Sequence, residues 1–407
     1  MKSNMDFTLL IVGMDANAYY MARLYHQLTN KKAYLIGKNP IWFTHYSKIV
    51  HCKYYDNIWE EQSFLNILDE FYNEHKFEKI LLVSVTENYI SIISKNKDKL
   101  NNKFIFNYPS YEIIESLSNK ELFYKTYMDN GIIDLPKTIY YHKNDKINID
   151  FNYPVIVKPA NVVSYRQIQI PNKVKIYKVN SEEELKRVMN SIYDLGYNDT
   201  LIIQEYIEGD DSRLFDSVIY ADKNGKVKRI TLAQIALQEH KQDLVGNAAV
   251  LINGYNEFNN TNDIINRIKK FSQKYGLTGF FEFDLKYDVK TNSFKLLEIN
   301  PRQGRSSYYL DGAGCNLIEI MYRDLILKEK LEYEVLNKEV LLSFVPKKII
   351  KKYVLNADIK KKALSMYKNS LNPIKYKKDI SLKRLYLLYK KDRRYFKDYK
   401  NGYWVNK

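Results

Sequence analysis

Short apolar runs, each followed by a stretch of helical spacing, open the chain. In "FTLLIVGMDANAYYMARLYHQL" the run Leu9–Val12 predicts a buried strand, and the apolar spacing from about Ala16 predicts a helix. "KAYLIGK" predicts the next strand, "KILLVSVTENYISIIS" repeats strand, loop and helix, and "KFIFNYP" predicts one more short strand. Strands that alternate with helices imply a parallel sheet covered on both faces. This α/β block ends near residue 115.

The pattern then changes. "SNKELFYKTYMDNGIIDLPKTIYY" predicts a helix capped by Ser118 or Asn119 and closed by Gly131 and Pro136. "YPVIVKPA" is a short buried strand carrying one lysine, "SEEELKRVMNSIYDLGY" a capped amphipathic helix, and "TLIIQEYIEGDD" a strand running into an acidic turn. "SVIYADKNGKVKRITLAQIAL" predicts a hairpin turning at Asn224-Gly225, "TNDIINRIKKFSQKYGL" a helix, and "GFFEFDLKYDVKTNSFKLLEINPR" a second hairpin. Hairpins and helices in succession read as α+β.

Composition narrows the class. The 407 residues, 45% hydrophobic and 28% charged, suit a globular protein of two or three domains. No apolar run approaches the roughly 18 residues of a membrane helix. Asp6 stands just ahead of "TLLIVGM" and no small-residue cleavage site follows, so that run reads as a strand rather than a signal peptide. Cys52 and Cys315, far apart, offer neither a disulfide framework nor zinc spacing, which fits a cytoplasmic protein. Residues 347–407 carry 20 Lys and Arg against 4 Asp and Glu, which accounts for the whole net charge of +16. The body is electrically balanced and the C-terminal region, with helical stretches such as "DISLKRLYLLYKKDRRYFKDY", is basic.

The second hairpin carries the chemistry. Strand side chains alternate faces, so Glu282 and Asp284 share one face, as do Glu298 and Asn300 on the partner arm, with Arg302 at the next alternate position. If the faces coincide, three carboxylates and an amide converge. Close carboxylates repel one another, and a hard cation such as Mg²⁺ removes that cost through oxygen ligands. The competing reading is a solvent-facing polar strand. The strongly apolar Phe281, Phe283, Leu297 and Ile299 argue against it, because both faces then need cover. Lys158, flanked by apolar residues, is either a snorkelling edge residue or a point charge aimed at phosphate.

The ordered set is a strand lysine, a strand ending in Gln-Glu, then a carboxylate hairpin ending in Glu-x-Asn-Pro-Arg. Over roughly residues 7 to 330 it resembles the ATP-grasp superfamily. The resemblance implies a pre-ATP-grasp α/β domain (1–115), an ATP-grasp domain of two subdomains with ATP between them (116–330), and a basic, mainly helical C-terminal region (331–407). It implies that Lys120 and Lys158 meet ATP phosphates, that Gln204, Glu205 and Ile207 form the adenine hinge, and that Asp211 takes ribose. Glu282, Glu298 and Asn300 match the Mg²⁺ ligands, with Asp284 as the alternative to Glu282 and Mn²⁺ as an alternative ion. "FEF" favours Glu282, and Arg302 matches the arginine that steadies the phosphorylated intermediate.

A narrower resemblance, in "YPVIVKPANVVSY", "DTLIIQEYIEGDDS", "NGKVKRITLAQIALQEHKQDLVGNAAV" and "LLEINPRQGRSSYYLDGAGCNL", is to D-aspartate ligase and its carboxylate–amine ligase relatives. Those enzymes attach an amino acid to a peptidoglycan precursor side chain. It implies an acyl phosphate attacked by an amine, an amino acid and a nucleotide-linked muropeptide as substrates, and a homodimer. His240, Lys241 and Asn247 fall in the stretch that would face the acceptor, where His240 reads as a satisfied histidine rather than a base. Asn161 to Pro171 and the hairpin near Gly225 are candidate lids.

The alternative within the same superfamily is a ligase that joins other amino acids or small peptides, and two rival functions remain in view beyond it. A nicotinamide dehydrogenase would need three glycines where "GMDANA" has Gly13 alone, and would leave the carboxylate hairpin unexplained. The basic C-terminal region, with interleaved Tyr, Phe and Trp404, would suit nucleic acid or, from 347 to 407, a peripheral contact with an anionic membrane.

Overall fold

Strands β1 (Thr8–Val12), β2 (Ala33–Gly37), β3 (Val50–Tyr54) and β4 (Ile80–Ser84) form a parallel sheet in the order β3-β2-β1-β4. The structure, a computed structural model, describes residues 5–169, 174–241, 244–258 and 260–401. Strand β1 is buried throughout, and the helix Ala16–Thr29 begins at Asp15, whose carboxylate accepts from the Asn17 and Ala18 N–H groups. Gly13 makes the turn between them at φ +135°, and a Cβ there would overlap Val85. "KFIFNYP" contributes a single bridge, Ile105 to Leu81, rather than a strand. The strand β3 and the helix Glu61–Glu74, which the pattern did not single out, complete this block.

A second, antiparallel sheet holds β5 (Thr138–Tyr141), β6 (Val155–Pro159), β7 (Tyr177–Val179) and β8 (Leu201–Glu205) in the order β5-β8-β6-β7. The helix Glu182–Asp194, capped by Ser181, packs Leu185, Met189 and Ile192 into the same core. Asn119, not Ser118, caps the helix Lys120–Tyr127.

The third sheet is the largest, with β9 (Leu214–Ala221), β10 (Val227–Ile230), β11 (Ala233–Gln238), β12 (Ala248–Asn253), β13 (Gly279–Asp288), β14 (Ser293–Asn300), β15 (Glu334–Val335) and β16 (Val340–Ser343). Its main path runs β14-β13-β9-β11-β12-β16. The first predicted hairpin splits on its return arm. Thr231 Oγ1 accepts from Val218 N at 2.9 Å, so a side chain takes a ladder position between β10 and β11. A Cβ on Gly225 would lie 3.6 Å from Gly276 Cα, so that turn packs against the end of the helix Thr261–Lys274.

One continuous core joins the first block, the large sheet and the C-terminal region. Tyr19 and Leu24, then Val250 and Leu251, then Ile349, Ile359, Tyr395 and Tyr399 all belong to it. The basic segment is therefore packed in, not appended. At its heart Asp379 and Arg384, both buried, pair at 3.3 Å. Asp379 also accepts from Tyr19 Oη and from Lys48 N on the first block. Among the described residues no helix is long and apolar enough to cross a membrane, and Cys52 and Cys315 are free thiols.

Candidate functional site

The register of the large sheet brings the acidic residues onto one face. Asp284 pairs with Asp216 on β9 and with Glu298 on β14, so three carboxylates stand in a row across adjacent strands. Glu282 faces Asn300 one pleat away. Neighbouring strands lie about 4.8 Å apart, so such a row cannot stay fully ionised without a cation. A bulge at the Asp284–Leu285 step shifts the apolar side: Leu296, not Leu297, is buried beside Phe294 and Ile299. The Leu297 carbonyl is left to accept from Tyr124 Oη at 2.6 Å.

That tyrosine is the joint between sheets. Lys158 Nζ, on β6, donates to Tyr124 Oη and to Gln204 Oε1, both at 3.0 Å, and Gln204 donates onward to Thr138. One turn earlier on the same helix, Lys120 Nζ reaches Glu298 Oε1 at 2.5 Å. Lys120, Lys158, Gln204, Asp284, Glu298 and Asn300 are thus brought into one chain of contacts, with Asn300 Nδ2 donating to Asp284 Oδ2 at 3.2 Å. Glu282 sits beside it, accepting from Ser306 Oγ at 3.0 Å; Ser306 also donates to Asp216 at 2.6 Å.

The electrostatics divide this face in two. Burial, then the charges of Asp216 and Asp284, push the Glu282 carboxyl well above its usual range. Burial, then Glu298 and Asp216, push Asp284 up to about 8. Glu298 goes the other way: burial raises it, but Lys120 and Lys175 hold it down at about 2. Burial and the neighbouring Lys120 lower Lys158 to about 7, against the pull of Glu298. Lys120 stays high because Glu298 outweighs the burial that would lower it.

Among the described residues no three His, Cys, Asp or Glu side chains are arranged to hold a metal ion as they stand. Lys120 occupies Glu298, and Ser306 occupies Glu282. The donor set nonetheless fits a hard divalent cation: all-oxygen ligands, and acids held up by mutual repulsion that a cation would relieve.

Other expected residues lie elsewhere. Strand β14 ends at Asn300, because Pro301 cannot continue the ladder and Arg302 N turns back to Asn300 O at 2.8 Å. Arg302 therefore leaves the alternating face, its Nη2 meeting Glu87 of the first block at 3.1 Å and its buried Nε finding no partner. Glu205 bends back to Lys137 N, Ile207 is buried, and Asp211 gives both oxygens to Gln238 at 2.7 Å. These three line the connection between the small and large sheets, outside the lysine–carboxylate chain. His240 is buried and stacked on Tyr399, but its Nδ1 is unpartnered, so it is not the satisfied histidine expected. The candidate lid from Asn161 opens with the helix Val162–Gln167, and Pro171 lies outside the described residues. Two surface cavities, about 820 Å³ beside Asp194–Asp199 and about 670 Å³ beside Asp6 and Lys79, are lined by none of the charged residues above.

Sequence reasoning missed Asp216, Tyr124, Lys175, Glu87 and Ser306. Asp216 was legible in principle, as an acid inside the otherwise apolar "LFDSVIYA". The rest depend on contacts between distant segments.

The family described as "D-ala D-ala ligase C-terminus" matches residues 136–328. A D-aspartate ligase of Enterococcus faecium is 31% identical over 402 residues, covering 95% of this chain and 94% of that one. Among solved structures, the L-amino acid ligase of Bacillus licheniformis superposes with a TM-score of 0.59 at 15% identity, over 82% of this chain and 77% of its own. The biotin carboxylase domain of Hydrogenobacter thermophilus 2-oxoglutarate carboxylase, solved with MgADP, gives 0.60 at 17% identity, over 82% and 72%.

Proposed function

The chain belongs to the ATP-grasp carboxylate–amine ligases, the family of the D-aspartate ligase it matches along nearly its whole length, and from that premise we propose that it joins an amino acid, D-aspartate, to the side-chain amine of a peptidoglycan precursor. The observation that supports this reading is the row Asp216, Asp284 and Glu298, linked through Lys120 and Tyr124 to Lys158 on a separate sheet. An anionic face and a cationic face meet across one seam, the division that a nucleotide triphosphate with its cation requires.

In this proposal Glu298, Asn300 and either Glu282 or Asp284 hold Mg²⁺, which when bound neutralises phosphate oxygens. Lys158 turns its ammonium from Tyr124 and Gln204 to the phosphates, and Lys120 leaves Glu298 to join it. The backbone from Gln204 to Ile207 offers hydrogen bonds to adenine, and Asp211 exchanges Gln238 for ribose. Arg302, its Nε free, steadies the acid as it accepts the γ-phosphate to form an acyl phosphate and ADP. The precursor amine then attacks the acyl carbon, and phosphate departs. We assign residues 1–115, 116–330 and 331–407 as the three regions of this machine.

The test is phosphate release from ATP against a panel of D- and L-amino acids, with and without a nucleotide-linked muropeptide. Stimulation by D-aspartate together with the precursor is expected. Stimulation by other pairs alone would discard the substrate and keep the ligase. We also propose a peripheral membrane contact through the helix Leu382–Lys400, whose exposed Leu382, Leu385, Tyr386 and Tyr389 alternate with Lys383, Lys390 and Arg393.

A further inference from the structure

Beyond Arg302 the same loop meets the C-terminal helix in a charged corner that the nucleotide chemistry does not use. Arg305 Nη2 pairs with Glu239 Oε1 at 2.5 Å and reaches Tyr395 Oη at 3.4 Å. Tyr395 Oη donates to that same Glu239 oxygen at 3.2 Å. Arg305 Nη1 is buried and has no hydrogen-bond partner. The guanidinium lies 4.1 Å from the Phe344 ring centre, which keeps its position fixed.

One turn before Tyr395, Lys391 sets its ammonium 4.5 Å from the Tyr395 ring and 5.7 Å from that of Phe43. Burial, then repulsion from Arg305, draw its proton affinity down to about 8, against attraction from Glu239, Asp392 and Asp398. The two acids on its own helix are engaged elsewhere: Asp392 with Lys375 at 2.7 Å, Asp398 with Arg394 at 3.8 Å. Two cations therefore share one facing carboxylate, Glu239, whose Oε1 already accepts twice.

The surroundings are polar and incomplete. On the same loop Arg302 Nε and Gln303 Nε2, and next to Glu239 His240 Nδ1, are also buried without partners. A buried polar atom left unpaired costs about 1–3 kcal/mol, so a group of them marks a place that a ligand completes.

We propose that Arg305 and Lys391 form the acid-recognising end of the amino-acid site, so that the enzyme selects a dicarboxylic amino acid over its neutral amide. This rests on the ligase reading above. Arg302 faces the carboxylate to be activated, and Arg305, three residues on, faces the other. A second carboxylate balances the two cations, whereas an amide leaves one of them buried and uncompensated. A site built around such a group rejects the analogue lacking it far more strongly than a difference in size would allow. The C-terminal helix is then a wall of the substrate site and sets its specificity.

The experiment compares wild type, Lys391→Met and Lys391→Arg, as full chains, with D- and L-aspartate, D- and L-glutamate and the corresponding amides. KM and kcat for the amino acid are measured, with the KM for ATP as control. Thermal shifts with ADP–Mg²⁺ plus D-aspartate or D-asparagine report binding independently of turnover. Wild type is expected to favour acid over amide by about 10⁴-fold. Lys391→Met should raise the KM for the acid at least tenfold, leave that for ATP unchanged and lose the acid-specific thermal shift, and Lys391→Arg should restore both. Discrimination that survives Lys391→Met overturns the inference and leaves the ligase intact. A wild type that prefers neutral amino acids overturns both the inference and the D-aspartate assignment. Should no amino acid stimulate turnover, acid-specific protection lost in Lys391→Met still supports the site, and its absence from wild type refutes it.

Discussion

Lys120 and Glu298 meet at 2.5 Å across the seam between the helix Lys120–Tyr127 and strand β14. Lys120 is buried and Glu298 about one-third exposed. Each is therefore the other's countercharge in the nucleotide-free protein, and each is needed elsewhere once nucleotide and cation arrive. Glu298→Gln should abolish phosphate release, by about 10²-fold or more, and lower stability by about 1–2 kcal/mol because Lys120 is left buried without its partner. Adding Lys120→Met should recover the stability and none of the activity. Urea titration alongside the phosphate assay separates these outcomes; a stable Glu298→Gln enzyme at full rate would refute the assignment.

Gly304 has a specific task. A Cβ there would overlap the Glu282 carboxylate, and the clash involves a buried side chain already fixed by Ser306. Gly304→Ala is expected to displace Glu282 and cut turnover by about 10-fold or more, with little change in the KM for the amino acid. Mg²⁺ dependence is the informative readout: the half-saturating Mg²⁺ concentration should rise. An unchanged Mg²⁺ curve would show that Asp284, not Glu282, serves beside Glu298.

Lys158 makes stability depend on pH in a predictable direction. Its folded-state value is about 7 against an ordinary 10.5, so between those limits the unfolded chain binds more protons and stability rises with pH. The contribution is lost as pH falls toward 7, at up to ~1.4 kcal/mol per unit. Lys158→Met removes the buried charge. Without nucleotide it should be more stable than wild type at pH 6, with the difference shrinking by pH 10, while ATP turnover is lost at both. Denaturation midpoints across that range check the sign; a constant difference would mean that Lys158 is not held near 7.

The second hairpin was legible because its register follows from alternation and a short turn: Glu282 opposite Asn300 and Asp284 opposite Glu298 are local facts. So were Lys158 on its strand and the cap at Asn119. Arg302 escaped the alternation because Pro301 ends the ladder, and Leu297 because of the bulge, neither of which the period-two pattern encodes. Asp216, Tyr124 and Glu87 joined the site through contacts between residues 68 to 215 positions apart, which no window along the chain contains. The C-terminal region misled for a related reason. Its charge was plain, but its apolar positions Ile349, Ile359, Tyr395 and Tyr399 are spread thinly among lysines, so their common burial emerged only from the fold.

That burial decides how the C-terminal region must be tested. The Asp379–Arg384 pair, with side chains 0% and 1% exposed, ties the start of the helix Leu382–Lys400 to Tyr19 and Lys48 of the first block. Removing one partner leaves an uncompensated buried charge, so Asp379→Asn is expected to cost about 3 kcal/mol or more, and Asp379→Asn with Arg384→Met distinctly less than the sum of the two single changes. Truncation at residue 346 would strip Ile349, Ile350, Val354 and Tyr395 from the core and give an insoluble or unfolded chain. Loss of vesicle binding in such a truncation would then report unfolding, not contact. Charge reversal at the exposed Lys383, Lys390, Arg393 and Lys397 avoids this, because none of them supports the core. With binding to vesicles of anionic lipid worth about 1 kcal/mol for each basic residue near the surface, the fourfold reversal should abolish sedimentation with such vesicles at an unchanged melting temperature. Undiminished sedimentation would show that the basic face of this helix is not the membrane contact and would leave the helix as a wall of the substrate site alone.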